Sequence, residues 1–197
     1  PSPPGGTAMQ MKNTGAYVLY LGGLNALREP DGLGLDEAIN AFNRSLSLDS
    51  MSAESYAGLS AALVAKRTTG HSGGDDLLTD AGSAASKSIA LNPRSGEGYI
   101  AMSRVMIEGH LYEDALEMLD SAARFAPGES VIPFLRGLVF FRSGQTEQAL
   151  EILQRAFRLD PRNSGILRLI ATIHQVNKSY DKALWYHETA MFFSADT

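Results

Sequence analysis

A short glycine-rich stretch, residues 70 to 74, is the part of the sequence that most resembles an enzyme motif. It reads Gly-His-Ser-Gly-Gly and so matches the G-x-S-x-G pattern around a nucleophilic serine. Such a serine attacks acyl groups only where a β-strand turns sharply into a helix and holds the hydroxyl near a base. A helical pattern precedes this stretch, and its glycines lack the following Lys-Ser/Thr of a phosphate-binding loop. We therefore interpret residues 70 to 74 as a flexible loop.

Histidines and carboxylates offer a second chemistry, the binding of a metal ion. The four histidines are scattered, and no two stand at the spacing of metal ligands: His71, His110, His174 and His187. Asp75, Asp76 and Asp80 are placed to begin a helix, where carboxylates interact favourably with the helix dipole. The sequence has no cysteine, which removes thiolate ligands, disulfides and a cysteine nucleophile. We expect no catalytic residue, no metal, no cofactor and no enzyme activity.

The composition is ordinary for a soluble globular protein. Apolar residues make up 44% of the 197 residues and charged residues 20%. The net charge of −5 and the lack of a basic cluster argue against direct nucleic-acid binding. No apolar run approaches the roughly 18 residues that span a bilayer, so we expect no membrane insertion by this region. The chain begins with Pro1, which suggests a piece of a larger protein, and either bacterial cytoplasm or periplasm fits.

The strongest pattern is a repeat of 34 residues. Small residues recur at this interval in two series, and proline recurs in a third. The series are Ala81, Ala115, Ala149 and Ala183; Ser88, Ala122, Ala156 and Ala190; and Pro93, Pro127 and Pro161. A fixed interval of this length indicates stacked copies of a unit made of two short helices.

Apolar residues at helical spacing predict ten helices in five pairs. A linker rich in proline and glycine is predicted at residues 1–14, and the repeat domain at 15–197. The predicted repeats are 15–52, 53–95, 96–129, 130–163 and 164–197. Small residues in the first helices mark where helices cross closely: Gly22, Ser60, Ser103, Gly137 and Ala171.

Two places depart from the regular interval. Tyr56 and Tyr99 are 43 residues apart, nine more than the period, and residues 28–32 lengthen the turn of the first pair. We expect both insertions to form surface loops between the helices of a pair. In the fourth repeat, Thr146 is predicted to be the N-cap of the second helix.

These residues resemble the tetratricopeptide repeat (TPR) pattern. The third repeat carries the pattern most completely: Tyr99, Ser103, Met106, Ala115, Leu119, Ala122 and Pro127. The fourth repeat departs from it at Pro133, and the fifth has His187 at the aromatic place. The resemblance implies an all-α fold, a right-handed TPR superhelix (α-solenoid) of about five helix-turn-helix repeats. Such arrays present long surfaces to other molecules and rarely carry catalytic groups.

A narrower resemblance concerns residues 16–24, 34–50 and 56–60. They are similar to repeats of bacterial winged-helix regulators of the CadC type and of TPR-bearing adenylate cyclases. This resemblance implies a non-catalytic protein- or peptide-binding scaffold, the regulatory or sensory module of a larger bacterial signalling or transcription-regulating protein. The alternative is a stand-alone TPR chaperone or assembly factor for secretion or for a multiprotein complex.

The TPR resemblance also implies where a protein or peptide ligand binds, because in this family the first helices line the concave face. The inner-face residues carried over by phase are Ile100, Arg104, Ile107, Phe134, Leu138, Phe141, Arg142, Arg168, Thr172 and Gln175, with Glu108 beside them. The three arginines suit an acidic or C-terminal-carboxylate peptide, since guanidinium groups bind carboxylates bidentately. The alternative is that Phe134 and Leu138 pack within the stack while the arginines pair with nearby glutamates.

The last helix ends in apolar residues. Met191, Phe192 and Phe193 come where many such arrays add a polar helix that covers the final apolar face. We expect these residues either to fold back or to pair with another copy or a missing segment, and a homodimer through the C-terminal helix is one hypothesis.

Overall fold

A computed structural model describes residues 13–29, 32–70 and 74–195, and these residues form ten α-helices and no strand. The helices are α1 (Thr14–Ala26), α2 (Leu35–Leu48), α3 (Ala53–Thr68), α4 (Gly74–Leu91), α5 (Gly96–Glu108), α6 (Tyr112–Phe125), α7 (Val131–Arg142), α8 (Thr146–Leu159), α9 (Ser164–Val176) and α10 (Tyr180–Ala195). The predicted all-α class is confirmed. None of these helices is long and apolar enough to cross a bilayer.

Three of the first helices begin with side-chain caps. Asn13 accepts hydrogen bonds from the backbone of Gly15 at 2.9 Å and Ala16 at 3.3 Å, at the edge of the predicted linker. The side chains of Ser52 and Asn163 cap α3 and α9 in the same way. Each such bond satisfies a backbone N–H that the helix leaves without a partner. Residues 1–12 of the predicted linker lie outside the described residues.

The predicted cap of α8 is wrong. Thr146 is the first helical residue, and Gln145 occupies the capping position without a side-chain hydrogen bond to the backbone. The reason is the turn before the helix, where the Gln145 N–H is already bonded to the Phe140 carbonyl at 2.8 Å. The chain therefore enters α8 one residue earlier than a threonine cap requires.

That turn is one of three equivalent turns, 34 residues apart. His110, Gly144 and Lys178 have φ angles of 61°, 83° and 58°, in the left-handed region. In each turn the next residue donates its N–H to a carbonyl five residues back, at 2.8 Å. This is the Schellman arrangement, which satisfies the last carbonyls of a helix and reverses the chain. The same turn thus ends α5, α7 and α9.

Close helix crossings depend on glycine at particular places. A Cβ built on Gly137 would lie 2.5 Å from Leu153, and one on Gly23 would lie 2.7 Å from Phe42. Gly22, which the sequence predicted at this crossing in the first repeat, is exposed with nothing within 4 Å. One residue along a helix rotates the side chain by about 100°, so Gly23 faces α2 and Gly22 faces solvent.

The insertion in the second repeat is mostly helical, which corrects the predicted loop. Helices α3 and α4 have 16 and 18 residues, whereas α5 and α6 have 13 and 14. Only residues 69–73 connect α3 to α4, so most of the extra length extends the two helices. In the first repeat the longer connection, residues 27–34, does lie between the helices as predicted.

The chain divides into two compact units, residues 1–105 and 106–197, with the division inside α5. In the first unit, α1 packs on both α2 and α3, and α3 packs on α4. Its core contains Tyr20, Phe42 and Ala62. In the second unit, α7 packs on α6, α8 and α9, and α9 packs on α10. The core of that unit is built around Leu153, Ile166 and Ile170.

Candidate functional site: the first-helix surfaces

The predicted inner-face residues fall in both units and are considered unit by unit. Ile100 and Arg104 lie on the part of α5 in the first unit, and the other eight lie in the second. Within each unit a first helix contacts the next first helix, α1 with α3 and α7 with α9. A surface made of first helices therefore exists in each unit.

In the second unit the apolar inner-face residues also take part in the core. Phe134, Leu138 and Phe141 are half-buried and pack against the cluster that includes Leu153 and Ile166. Ile107 is only 1% exposed. These side chains therefore support the stack, and only the exposed parts of the three half-buried residues offer apolar surface to a ligand.

Arg142 is engaged by a glutamate. Its Nη1 atom lies 2.6 Å from Oε1 of Glu108, and the side chains are 33% and 13% exposed. Exposed ion pairs of this kind contribute little free energy, about 0 to 1 kcal/mol. A ligand carboxylate must nevertheless compete with Glu108 for this guanidinium.

The fifth-repeat residues form a polar end of the same surface. Arg168 and Gln175 are exposed, and Thr172 is half-buried. The Thr172 hydroxyl donates to the Arg168 carbonyl at 2.9 Å, which leaves the Arg168 guanidinium out of that bond. Arg168 is thus available to a ligand but strongly hydrated.

Arg104, in the first unit, has a different environment. It is half-buried, and no described residue forms a hydrogen bond or an ion pair with its guanidinium. Burial lowers the pKa of Arg104 from its ordinary value, and no neighbouring acid offsets that effect. A desolvated cation without a counter-charge is energetically costly, so this position favours an incoming anion.

Sequence reasoning missed a second polar group in the first unit. Tyr20 of α1 is 4% exposed, and its ring lies 6.4 Å from that of Tyr17 and 6.0 Å from that of Phe42. Burial raises the pKa of Tyr20, and the carboxylates of Glu97 and Glu54 raise it further. The available sequence signal was the spacing, because Glu54 and Glu97 are 43 residues apart, as are Tyr56 and Tyr99.

The histidines have structural surroundings. His174 is 8% exposed and stacks on Tyr186 with ring centroids 5.7 Å apart. His110 Nδ1 lies 2.9 Å from the Tyr112 hydroxyl at the rim of an open cavity of about 390 Å³. His71 and Ser72 lie outside the described residues. Among the residues that are described, no three His, Cys, Asp or Glu side chains are grouped to hold a metal ion.

The outer side of α10 exposes a continuous apolar surface. In the repeat before it, Leu150 and Phe157 pack against the core cluster that contains Ile166 and Ile170 of α9. Their counterparts 34 residues later, Leu184 and Met191, are 59% and 70% exposed. The predicted fold-back applies to Phe193 alone, whose ring lies 5.7 Å from the Arg162 guanidinium carbon.

Comparisons with known proteins agree on the fold. No family model matches the sequence, and no curated protein does. Among solved structures, TTC0263, a thermophilic TPR protein of Thermus thermophilus, has a TM-score of 0.70 at 22% identity over 88% of this chain and 92% of its own. PilF of Pseudomonas aeruginosa gives 0.64 at 19% over 91% and 76%. YrrB, described as a TPR protein with an unusual peptide-binding site, gives 0.52 at 19% over 92% and 84%.

The chain therefore has the TPR fold, as its repeat pattern predicts. At these identities the likeness establishes the fold and, with it, a protein-interaction scaffold as the class of protein.

Proposed function

We propose that this chain is a non-catalytic scaffold that binds an extended protein segment on its first-helix surfaces, with Arg104 holding a carboxylate of the ligand. The observation that carries the proposal is the half-buried Arg104 guanidinium, which no described residue pairs with. A buried charge is costly unless it is paired, and a bidentate carboxylate is the geometric match for guanidinium.

The three arginines have different roles in this proposal. Arg104 is desolvated and without a counter-ion among the described residues, so a carboxylate gains most there. Arg168 is exposed, and its attraction for an anion is screened by water and salt. Arg142 is already paired with Glu108. An acidic or C-terminal-carboxylate ligand therefore depends on Arg104 first.

We further propose that the scaffold is the regulatory or sensory part of a larger bacterial protein. Support comes from the similarity of residues 16–24, 34–50 and 56–60 to repeats of bacterial regulators. The stand-alone chaperone or assembly factor is the alternative. The coding sequence upstream of Pro1 distinguishes them: a winged-helix or cyclase domain favours the module, and a start codon or signal peptide favours the stand-alone protein.

The exposed side of α10 suggests a second contact, a homodimer through the C-terminal helix. Leu184, Trp185, Met191 and Phe192 are all more than half exposed. Burying such an apolar surface releases free energy in proportion to its area. Sedimentation should show a dimer that Leu184→Glu dissociates, and a monomer at high concentration contradicts this contact.

The binding proposal is tested with short random peptides displayed on phage and selected on the full chain. Affinities of the selected peptides are then measured for Arg104→Met, which keeps the apolar stem and removes the charge. We expect acidic peptides whose affinity falls about tenfold or more. Arg44→Ala, an exposed arginine on α2, is the control and should bind normally. Selection of no peptide, or equal affinity for Arg104→Met, contradicts the proposal.

A further inference from the structure

The first unit carries a second polar group on the same surface as Arg104. It consists of the hydroxyl of Tyr20, the neighbouring phenol of Tyr17, and the carboxylates of Glu54 and Glu97. The last two belong to the first turns of α3 and α5. Helices α1, α3 and the start of α5 thus each contribute to one place.

Tyr20 is the informative residue of this group. It is 4% exposed, yet its hydroxyl forms no hydrogen bond with any described residue. Buried tyrosine hydroxyls usually have a hydrogen-bond partner. Its surroundings are defined by electrostatics, since Glu97, Glu54 and Tyr17 all act on this hydroxyl. The phenol oxygen therefore points toward two carboxylates.

Two negative charges beside stacked aromatic rings select for a cation. An ammonium or guanidinium group donates hydrogen bonds to carboxylates and to a phenol oxygen, and it is also attracted to the faces of tyrosine rings. Glu54 forms no ion pair with any described lysine or arginine, and its one polar contact is the Ser52 hydroxyl at 3.4 Å. The missing partner of this group is therefore positively charged.

We propose that Tyr20, Glu54 and Glu97 bind the side chain of a lysine or arginine in the protein segment that the scaffold recognises. The inference rests on the proposed function and adds a second point of recognition to it. Arg104 and Glu97 are seven residues apart on α5, about 10 Å along the helix axis. An extended peptide covers that distance in about three residues. The ligand therefore has a basic residue about three positions from an acidic group.

The test uses the peptides selected on the full chain, with the affinity measured for Glu54→Gln, Glu97→Gln and Tyr20→Phe. We expect a basic residue in the selected peptides, and about tenfold weaker binding for each glutamine variant. Tyr20→Phe keeps the ring and should bind severalfold more weakly. Glu37→Gln, which removes an exposed charge from α2, is the matched control and should bind normally. Thermal unfolding of every variant separates weaker binding from weaker folding.

The outcomes are distinct for the two proposals. Selected peptides that contain a basic residue and lose affinity in the glutamine variants support this inference. Peptides that bind through Arg104 but have no basic preference, or that bind Glu54→Gln and Glu97→Gln normally, overturn it and leave the proposed function standing. A selection that yields no peptide overturns both.

Discussion

Glu108 and Arg142 lie 34 residues apart, at the same position of two successive repeats, and are joined by an ion pair of 2.6 Å. The pair shows how the repeat brings equivalent positions together on one surface. It also places one of three candidate arginines in a contact with the protein itself. The other two, Arg104 and Arg168, form no ion pair with the residues that the structure describes.

The first prediction concerns this pair. A double-mutant cycle with Glu108→Gln and Arg142→Met should give a coupling free energy below about 1 kcal/mol, because both side chains retain contact with water. Glu108→Gln should also raise the affinity for an acidic peptide, since it frees the guanidinium. A coupling of several kcal/mol in chemical denaturation would show that the pair is part of the fold and not an exchangeable contact.

The second prediction concerns the left-handed turns. Lys178 has a φ of 58°, which a side chain disfavours, whereas Gly144 has the same role without that cost. Lys178→Gly should therefore raise the free energy of unfolding by about 0.5 to 1 kcal/mol, and Gly144→Ala should lower it by about 1 kcal/mol or more. Asn177→Gly, next to the turn but with a negative φ, is the control and should not stabilise. Equal effects at positions 177 and 178 in urea denaturation contradict the assigned turn.

The third prediction compares two glycines in first helices. Gly137→Ala places a Cβ against Leu153 and should lower the free energy of unfolding by about 1 to 3 kcal/mol. Gly22→Ala adds a methyl group in open space and should raise it by about 0.5 to 1 kcal/mol, through helix propensity. The two changes are chemically identical, so opposite signs test the packing directly. A loss of stability for Gly22→Ala would mean that Gly22 and not Gly23 faces α2.

The same glycines show what the sequence could predict. The 34-residue interval and the alanine series predicted ten helices and the TPR fold correctly, because burial against neighbours is written into each repeat. The phase of α1 was wrong by one residue, since adjacent Gly22 and Gly23 are equally small. Only contact with Phe42 distinguishes them.

The candidate site was less predictable for the same reason. Repeat phase identifies the surface, but it does not reveal the charge balance around each side chain. Arg104 and Arg142 occupy similar places in the sequence, yet only Arg142 has a glutamate partner among the described residues. The association of Tyr20 with Glu54 and Glu97 joins three repeats, two of them irregular in length, so a regular period could not align them.

The fourth prediction is a pH dependence. Burial lowers the pKa of His174 from its ordinary 6.5, and the charge of Lys182 lowers it further. As the pH falls through about 6.5 the unfolded chain binds a proton at this position before the folded chain does. Stability should therefore decrease below that pH, and the decrease should stop once the folded protein is also protonated. His174→Gln should flatten this part of the stability curve, and identical slopes for the two proteins contradict the buried neutral imidazole.

The account depends most on where a ligand binds. Amide chemical shifts of the labelled chain, recorded while a selected peptide is added, test this directly. We predict that the shifts concentrate on α1, α3, α5, α7 and α9, with the largest at Arg104 and the first turns of α3 and α5. Shifts confined to the second helices, or to α10 alone, would contradict binding on the first-helix surfaces.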